Sequence, residues 1–261
     1  MRPIFSGEML KLVRQLGTLF WGFLAVPLIA TLVKLIISGF FYLRVGHQPG
    51  GDADLFISAA RSVSVSGNSL GHLLYALGIA SVFFLEYRYS TWRLLVPRHS
   101  RSQLFIAKLL VCLAWLVFGL LLAVVGDMAL TLLFAVLQGQ GLVVSTSSLA
   151  TLVAAFCIAF LELGVLAVLV AALVVGFRSM VAAVIPAFLL AIGSTMLKLY
   201  LGADADRLPS PSYAAETLRD WLLAGGTPMA AMLGLGVLLS WIVILTAVGL
   251  ALFSRQQMTA E

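Results

Sequence analysis

Among the ionisable side chains inside the long apolar runs of this 261-residue chain, three are the first residues whose types point to chemistry. They are Lys34 in LVKLI, Asp127 in VGDMA and Glu162 in AFLELG. A charge in an apolar helix is expensive in a bilayer, so it marks a substrate or ion path, a proton relay or a paired contact between helices. Lys34 lies eight residues before Tyr42 and Asp127 ten before Leu137. At helical rise these are depths of ~12 and ~15 Å from the same end, so the two can pair. Glu162 sits at the middle of its run, where no headgroup reaches it, and must be protonated, paired or in contact with water. We take Glu162, Asp127 and Lys34 as candidate pathway or dimer-interface groups. A structural role stays open for each: an interhelical hydrogen bond or, for Lys34, a snorkelling ammonium. His72 reads as an interfacial residue and Lys198 as one that reaches the headgroups.

None of this makes a catalytic centre. Glu162 and Asp127 stand alone in their helices, and His72 has no acid within one turn, so no acid pair, His–acid or Ser–His arrangement is legible. No Cys/His cluster has metal-ligand spacing, and Cys112 and Cys157, both within apolar runs, read as small core residues. There is no phosphate-binding Gly-rich loop, so the chain is not expected to hydrolyse ATP, and we assign it no metal or cofactor of its own.

A second constellation has the chemistry of an interface. The stretch EYRYSTWRLLVPRHSR, Glu86 to Arg101, puts Arg88, Arg93, Arg98 and Arg101 around Tyr89, Trp92, Leu94 and Leu95 in a chain with only 10% charged residues. Aromatic and Arg anchors fill pockets and pair with carboxylates, and Pro97 ends any helix before RHSR. The alternative is an aromatic belt with positive charge at a membrane surface.

The elements that must position these residues follow from composition. The chain is 62% hydrophobic with a mean hydropathy of +1.09, against about 25% charged residues in soluble domains. This predicts an all-α polytopic membrane protein forming a single transmembrane domain over residues 1–261, with no soluble domain of normal size. Six runs approach or exceed the ~20 residues needed to cross a bilayer: about 18–41, 69–85, 104–137, 148–175, 180–200 and 228–253. The first is too long for a signal-peptide core and is expected to stay as an anchor. The third, at ~51 Å, must tilt or protrude. Connecting segments on one side collect nine Lys and Arg and those on the other four, which places both termini and the Glu86–Arg101 stretch in the cytoplasm. The net charge of +5 then reflects cytoplasmic loops rather than nucleic-acid binding. Residues Ile4 to Leu16 mix apolar and charged positions at helical spacing, as an N-terminal interfacial helix does. Of the two longer outer loops, 42–68 carries the turn QPGGD, and 201–227 offers a short helix from Ser212 to Leu223 ended by Gly225 and Gly226.

The Glu86–Arg101 stretch resembles the cytoplasmic signature of the permeases of the type-2 exporter family of ABC transporters. That pattern reads E-x-x-x-G-T, a basic residue, two leucines and P-x-S-R. Here Glu86, Ser90–Thr91, Arg93, Leu94–Leu95, Pro97 and Ser100–Arg101 follow it. Ser90 replaces the glycine, and one extra residue precedes Ser100. The resemblance extends coarsely to the order of elements along the chain. It implies that this segment is a cytoplasmic coupling helix between spans two and three, seated in a cleft of a separate ATP-hydrolysing subunit. Thr91, Trp92, Arg93, Leu94, Leu95 and Pro97 then belong to that contact, with Glu86 and Arg101 bracketing it.

The expected function is the permease subunit of an ATP-driven export complex in the inner (plasma) membrane. It converts ATPase closure into substrate movement or into mechanical work on a periplasmic accessory protein. Two copies of the chain and two ATPase subunits, which hold the ATP and Mg, complete it. The alternative is an ion- or proton-coupled secondary transporter that uses Glu162.

Overall fold

The computed structural model describes residues 2–45, 52–64, 67–89, 100–201 and 208–256. The order of elements is α1 (Arg2–Arg14), α2 (Leu16–Leu19), a π turn (Phe20–Leu24), α3 (Ala25–Val45), β1 (Ala53–Asp54), α4 (Leu55–Ser64) and α5 (Ser69–Arg88). Then come α6 (Arg101–Gln138), β2 (Leu142–Val143), α7 (Thr146–Phe177), α8 (Met180–Leu201), α9 (Pro211–Ala224) and α10 (Pro228–Arg255). Six of these stretches are long and apolar enough to cross a membrane: Leu16–Arg44, Ser69–Arg88, Arg101–Gln138, Thr146–Phe177, Met180–Leu201 and Pro228–Arg255. Each contains one of the six runs read from the sequence.

Local chemistry sets their ends. Asn68 and Ser145 cap α5 and α7 with side chains that accept from Leu70 N (3.3 Å) and Ser148 N (3.0 Å). Ser100 opens α6 in the same way. Pro211 and Pro228 occupy the first turns of α9 and α10, where a missing N–H costs nothing. Gly139 and Gly225 close α6 and α9 at φ 66° and 76°, a left-handed turn that glycine adopts without a Cβ clash.

The bundle is built around α7, which packs on α4, α5, α6, α8, α9 and α10. Its inner face is a run of small and branched residues, Ala159, Leu163, Ala167, Val170, Ala171 and Val174. On the first span and α10, by contrast, most side chains point outward, as lipid-facing helices require. Cys112 is buried but Cys157 is exposed on α7, which corrects its reading as a core residue; both are free thiols.

The connecting segments were expected to be loops with one short helix, and the structure goes further. The first span runs on to Val45, and α4 enters the bundle between α6 and α7, with Ala59, Ala60 and Val63 fully buried. The predicted helix exists as α9, and it also turns inward, burying Tyr213, Ala215 and Leu218 against α7 and α10. Backbone pairing of β1 with β2 joins the segments before α4 and α7. The turn QPGGD lies outside the described residues except for Asp52.

One crossing fixes the first span. At the π turn, Gly22 meets Gly78 of α5 backbone to backbone: a Cβ on Gly78 would fall 2.6 Å from the Gly22 Cα and 2.7 Å from its carbonyl oxygen. Nothing larger than hydrogen fits, which is the close approach that small residues permit in membranes. Gly78→Val is therefore expected to cost about 1–3 kcal/mol or more by overpacking. Gly39→Ala, on the same span with nothing within 4 Å of the added carbon, should be neutral or slightly stabilising. Unfolding of the two variants in detergent measures this, and equal stabilities would rule out the tight crossing.

Candidate functional site

Three groups of charged residues lie inside the bundle, and each ties a helix that does not span to helices that do. The first gathers Glu8 of α1, Glu86 at the end of α5 and Lys108 of α6, all buried, with the half-exposed Lys11. Lys108 Nζ donates to Glu86 Oε1 (2.9 Å) and to Glu8; Lys11 Nζ donates to Glu8 (2.7 Å) and Glu86 (3.0 Å). Among the described residues two acids face two bases, and such pairing is the condition under which buried charge is tolerable. Burial raises the Glu8 carboxyl, but Lys108 and Lys11 outweigh it and hold the group below its ordinary value. Burial likewise lowers the Lys11 ammonium, while Glu8 and Glu86 bring it above its ordinary value.

This cluster holds one end of the Glu86–Arg101 stretch. The other end is held by Arg101, whose guanidinium donates to the carbonyls of Phe253 (3.3 Å), Ser254 (2.9 Å) and Gln256 at the C-terminal end of α10. A cation there meets the carbonyl end of the helix dipole. Tyr87 adds a donor to Gln256 Oε1 (2.9 Å). Thus Glu86, expected to bracket a docking helix, is itself buried among α1, α5 and α6. Thr91, Trp92, Arg93, Leu94, Leu95 and Pro97 lie outside the described residues.

The second group is the pair read from matched depths. Lys34 is bonded to Asp127, and its other protons go to Ser58 Oγ and Thr131 Oγ1, both at 2.9 Å. Ser58 in turn donates to Asp127 Oδ2 (2.9 Å). All three ammonium donors are occupied. Beside the pair, a groove of about 1120 Å³ opens between α3, α4 and α5.

The third group answers the question posed by Glu162. Arg219 of α9 reaches in and binds its Oε2, so the carboxylate is paired. His72 is buried in the bundle, and its Nε2 stands 3.7 Å from Glu162 Oε1. Gly67 makes room: a Cβ there would fall 2.8 Å from the guanidinium and 3.0 Å from the carboxylate. Lys198, expected among headgroups, bonds Glu216 at 2.6 Å. A chamber of about 670 Å³ adjoins this group. Tyr213 Oη, donating to Ser194 O (2.6 Å), and Trp241 Nε1, donating to Pro209 O (2.9 Å), help to hold α9 and its entry in place.

Sequence reasoning found Lys34, Asp127, Glu162 and Glu86 but missed Lys108, Glu8, Ser58 and Arg219. Lys108 was findable, because FIAKLLV isolates a charge as sharply as LVKLI does. Arg219 was not: in ETLRDWLLA it looks like an ordinary surface residue of an outer helix.

The helices and the paired charges define a multi-pass membrane protein. The sequence profile of the ABC-2 family transporter proteins matches residues 4–194, and the chain belongs to that family. It is a membrane permease of the ABC transporter type. The matched region contains the clusters around Lys108 and Lys34 but stops before α9 and Arg219. No curated protein and no solved structure matches the chain significantly.

Two predictions follow from pairing. Lys108→Met leaves buried carboxylates short of their main cation and should destabilise the protein by about 3–5 kcal/mol. Within that cluster Glu8, depressed below its ordinary value of 4.5, stabilises α1 docking above that pH, and the contribution disappears as pH falls through its folded value. Lys11, raised above its ordinary 10.5, contributes below that pH and is lost as pH rises through its folded value. Spin labels at Gly7 and Gln103 should therefore report a constant distance through the neutral range that broadens only towards the acid and alkaline extremes. Broadening near pH 7 would contradict the cluster.

For the third group, Arg219→Met should cost a similar amount, because Glu162 then stays buried and unpaired. The double variant Glu162→Gln/Arg219→Gln should recover most of it. A single variant as stable as wild type in detergent unfolding would show that the pair does not form.

Proposed function

We propose that this chain is the membrane-embedded half of an ATP-driven export machine, with the Glu86–Arg101 stretch as its coupling helix. The observation that carries this reading is that both ends of the stretch are fastened to the bundle. Glu86 is bound through Lys108 and Lys11 to α6 and α1, and Arg101 is bound to the end of α10. A rigid body seated on the intervening residues therefore pulls on α1, α5, α6 and α10 together. That is the requirement for converting the closure of a partner into a movement of helices.

In this reading Thr91, Trp92, Arg93, Leu94, Leu95 and Pro97 contact a separate ATPase subunit, which supplies ATP and Mg chemistry, and the chain is not an enzyme. Residues 1–261 form one transmembrane domain, α1 lies in the inner interface of the plasma membrane, and both termini face the cytoplasm. The nine-to-four distribution of Lys and Arg supports that orientation. Two copies meet to complete the machine, with two ATPase subunits beneath, and a periplasmic protein is a further candidate partner. Lys34, Asp127 and Glu162 act within the bundle by pairing. The alternative of a secondary transporter using Glu162 has less support, because the family match is to ABC-type transporter proteins.

Trp92→Ala/Arg93→Ala tests the reading. Two interface anchors at about 2 kcal/mol each correspond to a loss of affinity of several hundredfold. The variant should reach the membrane folded yet no longer co-purify with its ATPase. Retention of the ATPase at wild-type levels would refute the coupling helix.

A further inference from the structure

The chamber beside Glu162, between α5, α7, α8 and α9, is bordered by polar atoms that the pairing described above leaves unused. His72 Nε2 is buried on its wall without a hydrogen-bond partner among the described residues. Buried polar atoms are seldom left bare, and those that are call for a ligand or water. Glu162 gives one oxygen to Arg219; the other, Oε1, is 3.7 Å from His72 Nε2, too far for a direct bond. A donor seated in the chamber about 2.8 Å from each atom bonds both. Among the described residues that line the wall, Glu162, Glu216 and Asp220 oppose Arg219 and Lys198, three acids to two bases.

The nature of the donor follows by elimination. A metal ion needs more ligands than this pair offers, and no cluster of three ligating side chains occurs among the described residues. An anion meets a net negative wall. A quaternary ammonium has no N–H to give and is held instead by a cage of aromatic faces, whereas Ser194, Thr195 and Ser212 face this chamber. We propose that the chamber binds the primary ammonium group of an amine, with Glu162 Oε1 and His72 Nε2 accepting two of its protons and the hydroxyl-lined wall facing the third. Its volume of about 670 Å³ admits either a soluble amine or the headgroup of an aminophospholipid. The site involves none of the Glu86–Arg101 stretch and is independent of the coupling reading, so it is tested without a motor.

The full chain, labelled with 15N-histidine, is placed in nanodiscs of phosphatidylglycerol, and the His72 signal is assigned by its loss in His72→Gln or by removal of His47 and His99. At constant pH, ethanolamine should shift the His72 Nε2 resonance saturably, whereas choline should not. If only incorporation of phosphatidylethanolamine shifts it, the ligand is the lipid headgroup; if free ethanolamine suffices, a soluble amine is a ligand. Glu162→Gln should weaken the response by about tenfold or more, the loss expected for a charge-assisted hydrogen bond. No shift with either form of the amine, an equal shift with choline, or unchanged binding in Glu162→Gln would overturn the proposal. The comparisons of ethanolamine with choline and of phosphatidylethanolamine with phosphatidylcholine use wild-type protein and decide the question even if Glu162→Gln does not fold.

Discussion

A charge inside an apolar bundle must have a partner, and this requirement organises the molecule. Lys108, Asp127 and Glu162 are each at least nine-tenths buried, and each partner set includes a residue from a helix too short to span. Glu8 comes from α1, Ser58 from α4 and Arg219 from α9. The short helices thus supply counter-groups, and in return their positions are specified. Apolar contact alone would let α4 or α9 slide along its neighbours, since one aliphatic surface resembles another. A fixed donor and acceptor admit one register, as buried polar groups do when they specify a structure.

The three groups differ in what they connect. The cluster at Lys108 joins α1 to the end of α5 and to α6. Motion applied there passes into helices rather than into loose loops, which suits the proposed coupling. The groups at Asp127 and Glu162 lie where α4 and α9 fold back, and each borders a cavity. Moving α4 would break the hydrogen bonds of Ser58 to Lys34 and Asp127, and moving α9 would break the Arg219–Glu162 pair. These contacts fasten the two short helices to the spans.

Close packing complements the charges. α7 touches most of the other helices because its inner face is largely alanine and branched aliphatic residues, which let neighbours approach evenly. Gly22 and Gly78 bring the first span and α5 into backbone contact at a π turn. Beyond that turn Lys34 faces Asp127 and Ser58.

The sequence by itself determined the class, the six spanning runs and the segments between them, because transfer of apolar side chains from water is a local, additive property that survives without coordinates. It also marked Lys34, Asp127 and Glu162 as residues that demand partners, and depth counting paired the first two correctly. Glu162 needed more. Its partner is 57 residues away on a helix whose composition reads as surface, and only the inward turn of α9 brings Arg219 to it. The same holds for Glu8 and Lys108, 100 residues apart, and for α4, which reads as part of a loop until α6 and α7 enclose it. Local periodicity states which face of a helix avoids water; it does not state which other helix covers that face. That choice depends on contacts between distant segments, and so the tertiary structure alone decided how the charges are paired.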